Sequence, residues 1–193
     1  MAPTFLRGRR RSRGGPVPRG QALAEFAIVA PIFFLMLFFV IQIALIFAAQ
    51  NGLVDGVRNA ARRAATYRIN DQSFNSTVWG STTTAGSICY TIAAELDRQL
   101  SDGRTGIVGF TSANRSRTIQ YEWQQNPGGT DYFLVAHVHA TYKNQLYVPL
   151  VSFFLDATDG TIDNKVQLSA DEQMRVENPG LAPTPLPSVP ACT

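Results

Sequence analysis

Between residues 26 and 49 the chain reads FAIVAPIFFLMLFFVIQIALIFAA, about two dozen almost wholly apolar residues without a charge. As a helix rising 1.5 Å per residue, this run is roughly 36 Å long, enough to cross a hydrocarbon core about 30 Å thick. The residues before it are rich in arginine, and those after it have the composition of an ordinary globular domain. The sequence therefore predicts a short basic tail, one membrane helix and one exported domain. A cleavable secretory signal is the competing reading. Such signals have an apolar core of roughly 7–15 residues followed by a small-residue cleavage site. This core is longer, and a charged residue, Glu25, stands at its start. A retained single span fits better.

Charge fixes the orientation this span should take. Residues 1–19 hold Arg7, Arg9, Arg10, Arg11, Arg13 and Arg19 with no acid, whereas the rest of a +3 chain is net negative. An arginine-rich segment can bind nucleic acid, but immediately before a span it is better explained as the flank retained on the cytoplasmic side. Arg58, Arg62, Arg63 and Arg68 weaken that bias without reversing it. The expected localisation is the cytoplasmic (inner) membrane, with the N-terminus inside and the C-terminal domain outside. The expected divisions are a basic leader at 1–20, a transmembrane helix at 21–49 and an amphipathic helical extension at 50–68. An extracytoplasmic α+β domain at 69–178 and a proline-rich tail at 179–193 follow.

Glu25 has two readings. An ionisable group at the edge of a span is costly unless it has a partner. It can snorkel to the headgroups or pair with an arginine of the tail. Alternatively, a cut between Gly20 and Gln21 would create an α-amine one helical turn from this carboxylate. The pattern of basic residues, Gly20, Gln21, Glu25 and Phe26 before a long apolar helix resembles the leader of type IV prepilins and pseudopilins. The resemblance implies that a prepilin peptidase cuts after Gly20 and that Glu25 neutralises an N-terminal amine during subunit packing, with Phe26 beside it.

The helical pattern outlasts the membrane. Leu53, Val54, Val57, Ala60, Ala61 and Ala64 recur at helical spacing, so residues 21–66 read as one helix. Pro31 predicts a kink near residues 27–30. Gly52, Gly56 and Ala60 stand four apart, a spacing that either permits a close helix–helix contact or merely weakens the helix. After a polar loop, Ile88, Ile92, Leu96 and Leu100 form the stripe of a second amphipathic helix, with Glu95, Asp97 and Arg98 outward. Strands are expected at 106–111, 117–124, 131–143 and within 161–177, with a turn at 126–129 and a short helix or turn within 146–155. The fold class is α+β: a long membrane-spanning helix continuing outward, then one helix on an antiparallel sheet of about three to four strands.

The leader GQALAEF, the single span, the stretch NAARRAA and the closing LSADEQMRVE together resemble TadE-like proteins, pseudopilins of the tight-adherence (Tad, or Flp) pilus system. The resemblance runs from Arg19 to Glu177. It implies a minor pilin-like subunit needed for pilus assembly, whose partners are the prepilin peptidase, other pilins and pseudopilins, and membrane lipid. The outer domain is too large for a bulk filament pilin. An uncleaved single-span protein whose outer domain binds a surface or envelope partner is the alternative.

Other constellations are weaker. His137 and His139 point to one face of a strand but have no third histidine. Asp156, Asp159 and Asp163 with Gly160 do not follow the EF-hand spacing. Cys89 and Cys192, the two cysteines, permit one disulfide outside the cytoplasm or remain free thiols. Asn75 and Asn114 head glycosylation-acceptor triplets that a pilus protein leaves idle. No nucleophile motif or phosphate-cradling glycine loop is present. The expectation is a non-enzymatic protein with no cofactor, metal, nucleic acid or small-molecule substrate.

Overall fold

The computed structural model describes residues 19–67, 79–103, 105–148, 163–177 and 191–192. The chain divides into two units, Met1–Phe38 and Phe39–Thr193. The described part of the first is helix only. Helix α1 (Arg19–Thr66) begins there, holds Pro31 inside it, and ends in the second unit.

The second unit has α2 (Ile88–Ser101) and three strands, β1 (Arg115–Gln125), β2 (Tyr132–Gln145) and β3 (Lys165–Arg175). They form one antiparallel sheet in the order β1-β2-β3. Registers such as Ile119↔Val138 and Ala140↔Ala170 align the apolar parity of neighbouring strands. Leu134, Ala136, Val138, Ala140 and Tyr142 all face inward and are buried. A one-residue slip would turn them to solvent. Against them lie Leu53, Val57, Ala60, Ala61 and Ala64 of α1 and Ile88, Ile92, Leu96 and Leu100 of α2, in one continuous core.

Local chemistry explains the element ends. Ser87 caps α2, its Oγ accepting from the Tyr90 N–H at 3.1 Å, which satisfies one of the free donors of the first turn. The Asp102 N–H closes the other end onto the Arg98 and Gln99 carbonyls. Between β1 and β2, Gly129 N–H donates to the Asn126 carbonyl, and Gly128 has a φ of +81°.

Residues 106–111 do not form the expected fourth strand. Gly106 and Gly109 have positive φ, and the segment turns rather than extends. Tight packing sets this path: a Cβ at Gly106 would lie 2.7 Å from that of Ala48. The closing strand, Lys165–Arg175, falls within the expected 161–177. Pro149, Asp156, Asp159, Gly160, Asn75, Arg68, the leader through residue 18 and the tail from 178 to 190 lie outside the described residues.

Contacts climb α1 in order. Gln42 Oε1 accepts the Tyr147 N–H at 3.0 Å, and Gly106 abuts Ala48. Gln50 Nε2 donates to the Ser169 carbonyl at 2.9 Å. Gly52 meets Thr105, and Gly56 meets Leu96 and Leu100. At the far end, Tyr121 Oη donates to the Ala64 carbonyl at 3.0 Å. The helix is the spine on which the domain is built.

Candidate functional site

Gly20, Gln21, Glu25 and Phe26 lie on the first turns of α1. Gln21 Nε2 donates to Glu25 Oε1 at 2.9 Å, the i,i+4 contact that helical pitch allows. The carboxylate therefore already accepts a hydrogen bond from the residue whose backbone nitrogen a cut after Gly20 would free. Among the described residues nothing lies within 4 Å of the position a Cβ would take at Gly20, so their packing makes no demand for glycine there. Phe26 is 67% exposed, and Leu23, Ile28, Ile32 and Met36 are exposed beside it.

This outward apolar surface continues through Ile41. Phe34 contacts Phe33 edge-on and stacks on Phe38. A helix apolar all round is stable only inside protein or lipid, and α1 is long and apolar enough to cross a membrane. Burial by the domain starts at Gln42, which is fully covered.

The molecule thus has the architecture of a membrane-anchored protein, in which an N-terminal helix long and apolar enough to cross a membrane leads into a small α+β domain. Within that architecture it carries a TadE-like segment: the family model described as TadE-like protein matches residues 20–62. The match begins at Gly20 and runs through Arg62, covering most of α1 and leaving α2 and the sheet outside. It is shorter than the resemblance read from the sequence, which extended to Glu177. No curated protein and no solved structure matches the chain.

The remaining candidates are distributed over the domain. Cys89, in the first turn of α2, is bonded to Cys192, with the Cα atoms 5.5 Å apart. The Cys192 N–H also donates to the Ile119 carbonyl at 2.9 Å, bridging the outer edge of β1. His137 Nε2 lies 3.6 Å from Glu122 of β1, and His139 Nδ1 lies 3.7 Å from Asp171 of β3. The two imidazoles therefore face carboxylates on opposite neighbouring strands and do not converge. Asp163 is 3.4 Å from Lys143 Nζ, and Asn114 Oδ1 accepts from Lys165 at 3.1 Å.

Sequence reasoning placed Asp97 outward, whereas it clamps α2 to the sheet. Its Oδ1 lies 2.8 Å from Arg115 Nε and its Oδ2 2.6 Å from Arg117 Nη1. Arg117 also donates to the Ala93 carbonyl. Burial lowers the Arg115 pKa, as does the neighbouring Arg117, while Asp97 opposes both. The parity of RSRTIQY held the signal, since Arg115 and Arg117 share the inward face with Ile119 and Tyr121. On the outer surface of the helix pair, Arg62, Arg63 and Arg98 line a groove with Asn59, Tyr90 and Gln99. Glu95, 2.7 Å from Arg98, is held below its ordinary pKa by the hydrogen bond from that arginine.

Proposed function

We propose that this protein is a TadE-like minor pilin or pseudopilin, a membrane-anchored component for assembling a Tad pilus. The observation that carries the reading is the TadE-like match starting at Gly20, on a helix whose lipid-compatible surface runs from there to Ile41. A prepilin peptidase cuts between Gly20 and Gln21. Glu25 then pairs with the new amine, its own or a neighbour's, because a carboxylate left unpaired in an apolar setting is costly. Phe26 and the helix beyond it pack laterally against other pilins and pseudopilins.

Six arginines before the span support an N-terminus in the cytoplasm and a domain outside the inner membrane. A disulfide between Cys89 and Cys192 is compatible with that side, where oxidising conditions preserve such bonds. The role is structural and uses no cofactor or small-molecule substrate.

The test is complementation of a strain lacking this chain. The wild-type sequence should restore pili visible by electron microscopy, whereas Gly20→Val and Glu25→Ala should not, with all three chains present in the membrane at equal levels. Pili restored equally by all three would favour an uncleaved single-span protein whose outer domain binds a surface or envelope partner.

A further inference from the structure

Two loop segments of the domain, at 105–110 and 146–148, meet α1 where its covered part begins. In one, the backbone of Tyr147 is held by Gln42; in the other, Gly106 abuts Ala48. The Tyr147 hydroxyl joins the two by donating to the Val108 carbonyl at 3.3 Å. Both side chains are left open, Val108 at 55% and Tyr147 at 50% exposure. The free side of α1 stays apolar at the same height, with Phe47 exposed, and Gln50 and Asn51 are the first polar residues above it.

Helix length turns this placement into a constraint. A hydrocarbon core of about 30 Å takes about 20 helical residues. Counted from Phe26, just after Glu25, those residues end near Leu45, one turn beyond Gln42. Counted back from Gln42, they draw Glu25 into hydrocarbon, which a carboxylate resists. Keeping Glu25 at its own interface therefore brings the Gln42–Tyr147 contact to the opposite one.

We infer that residues 106–110 and 146–148 rest in the lipid headgroup layer, with Tyr147 and Val108 as the domain's own membrane contacts. Tyrosine suits this depth because its ring is apolar and its hydroxyl wet. The partner is a lipid surface, continuous with the one around α1, and the inference rests on the span proposed above. Such contacts would hold the domain down on the membrane until the helix is withdrawn from it.

The test uses the full chain in vesicles of phosphatidylcholine brominated on its acyl chains. Tyr147→Trp and Val108→Trp each add an indole to the natural Trp79 and Trp123. Phe33→Trp serves as the span control and Tyr132→Trp as a control at the far end of β2. The expected result is that emission added at 147, 108 and 33 is blue-shifted and quenched by bromine, while that at 132 is quenched by aqueous acrylamide. Quenching at 33 with 147 and 108 open to acrylamide would overturn the loop contact alone. No bromine quenching at 33 would overturn the span itself. Protection at 147 and 108 from both quenchers would mean that protein, not lipid, covers them, and would also overturn it. Two independent positions keep the result readable if one variant fails to fold.

Discussion

Gly52 of α1 lies directly against Thr105, so that a Cβ added at Gly52 would sit 2.6 Å from the Thr105 Cβ and 2.8 Å from its carbonyl carbon, inside contact distance of both. This approach lets the turn after α2 lie flat on the spine. It also distinguishes two glycines that look alike in sequence. At Gly56 the nearest atom to an added Cβ is a Leu100 methyl at 3.2 Å, the far end of a flexible side chain.

Gly52→Ala should therefore destabilise the domain, with overpacking of about 1–3 kcal/mol exceeding the roughly 1 kcal/mol that alanine gains in a helix. Gly56→Ala should be close to neutral. Thermal unfolding of both variants in the same detergent, followed by circular dichroism, checks the ordering. A Gly52→Ala protein as stable as the parent would contradict the close contact.

The stripe Leu53, Val57, Ala60, Ala61 and Ala64 was legible because core burial repeats with the helical period, and β2 was legible because its apolar residues alternate. The small residues at 52, 56 and 60 left a close contact and a weak helix equally open. The structure resolves this as a contact with Thr105 and α2. Residues 106–111 misled because the short apolar stretch IVGF resembles a strand when glycine φ angles are unknown. Asp97 misled because helical periodicity alone puts it outward, while its partners lie on a strand about 20 residues away. At the N-terminus Gly20 and Glu25 lie exposed on the first turns of α1, so the reading proposed for them rests on their spacing in the sequence.

Asp97→Asn should cost more than Arg98→Ala. It leaves two arginines that are 11% exposed without their counter-charge, whereas Arg98 is an exposed residue of an i,i+3 pair. The expected loss is on the order of 2–3 kcal/mol for Asp97→Asn, reduced from the fully buried case because Asp97 retains some exposure, whereas Arg98→Ala should leave stability almost unchanged because solvent screens an exposed pair. Urea denaturation midpoints would show the difference, and equal losses would refute the clamp.

Reduction should loosen the domain. The Cys89–Cys192 bond closes a loop of 103 residues, for which a loss of about 2–4 kcal/mol is typical. Adding a thiol reductant to the native chain and replacing both cysteines by alanine should lower the unfolding temperature alike. A reductant that leaves the melting curve unchanged would argue against the bond.

Tyr121 gives a pH dependence of known sign. Burial first, and the nearby Tyr67 second, raise its pKa above the ordinary 10.0. The folded state therefore favours the protonated phenol. That contribution is complete below pH 10 and is lost as the pH rises through the higher folded value. Tyr121→Phe should cost about 1 kcal/mol at neutral pH through the lost bond to the Ala64 carbonyl, and should shed part of the alkaline decline. Urea midpoints at pH 8 and in the alkaline range would reveal this, and identical alkaline slopes in the two proteins would contradict it.

Processing at Gly20 is tested most directly by the N-terminal sequence and intact mass of membrane-extracted protein coexpressed with a prepilin peptidase. The expected result is a mature chain beginning at Gln21 in the wild type and an uncut chain in Gly20→Val. An intact N-terminus in both would contradict it and leave α1 a plain membrane anchor.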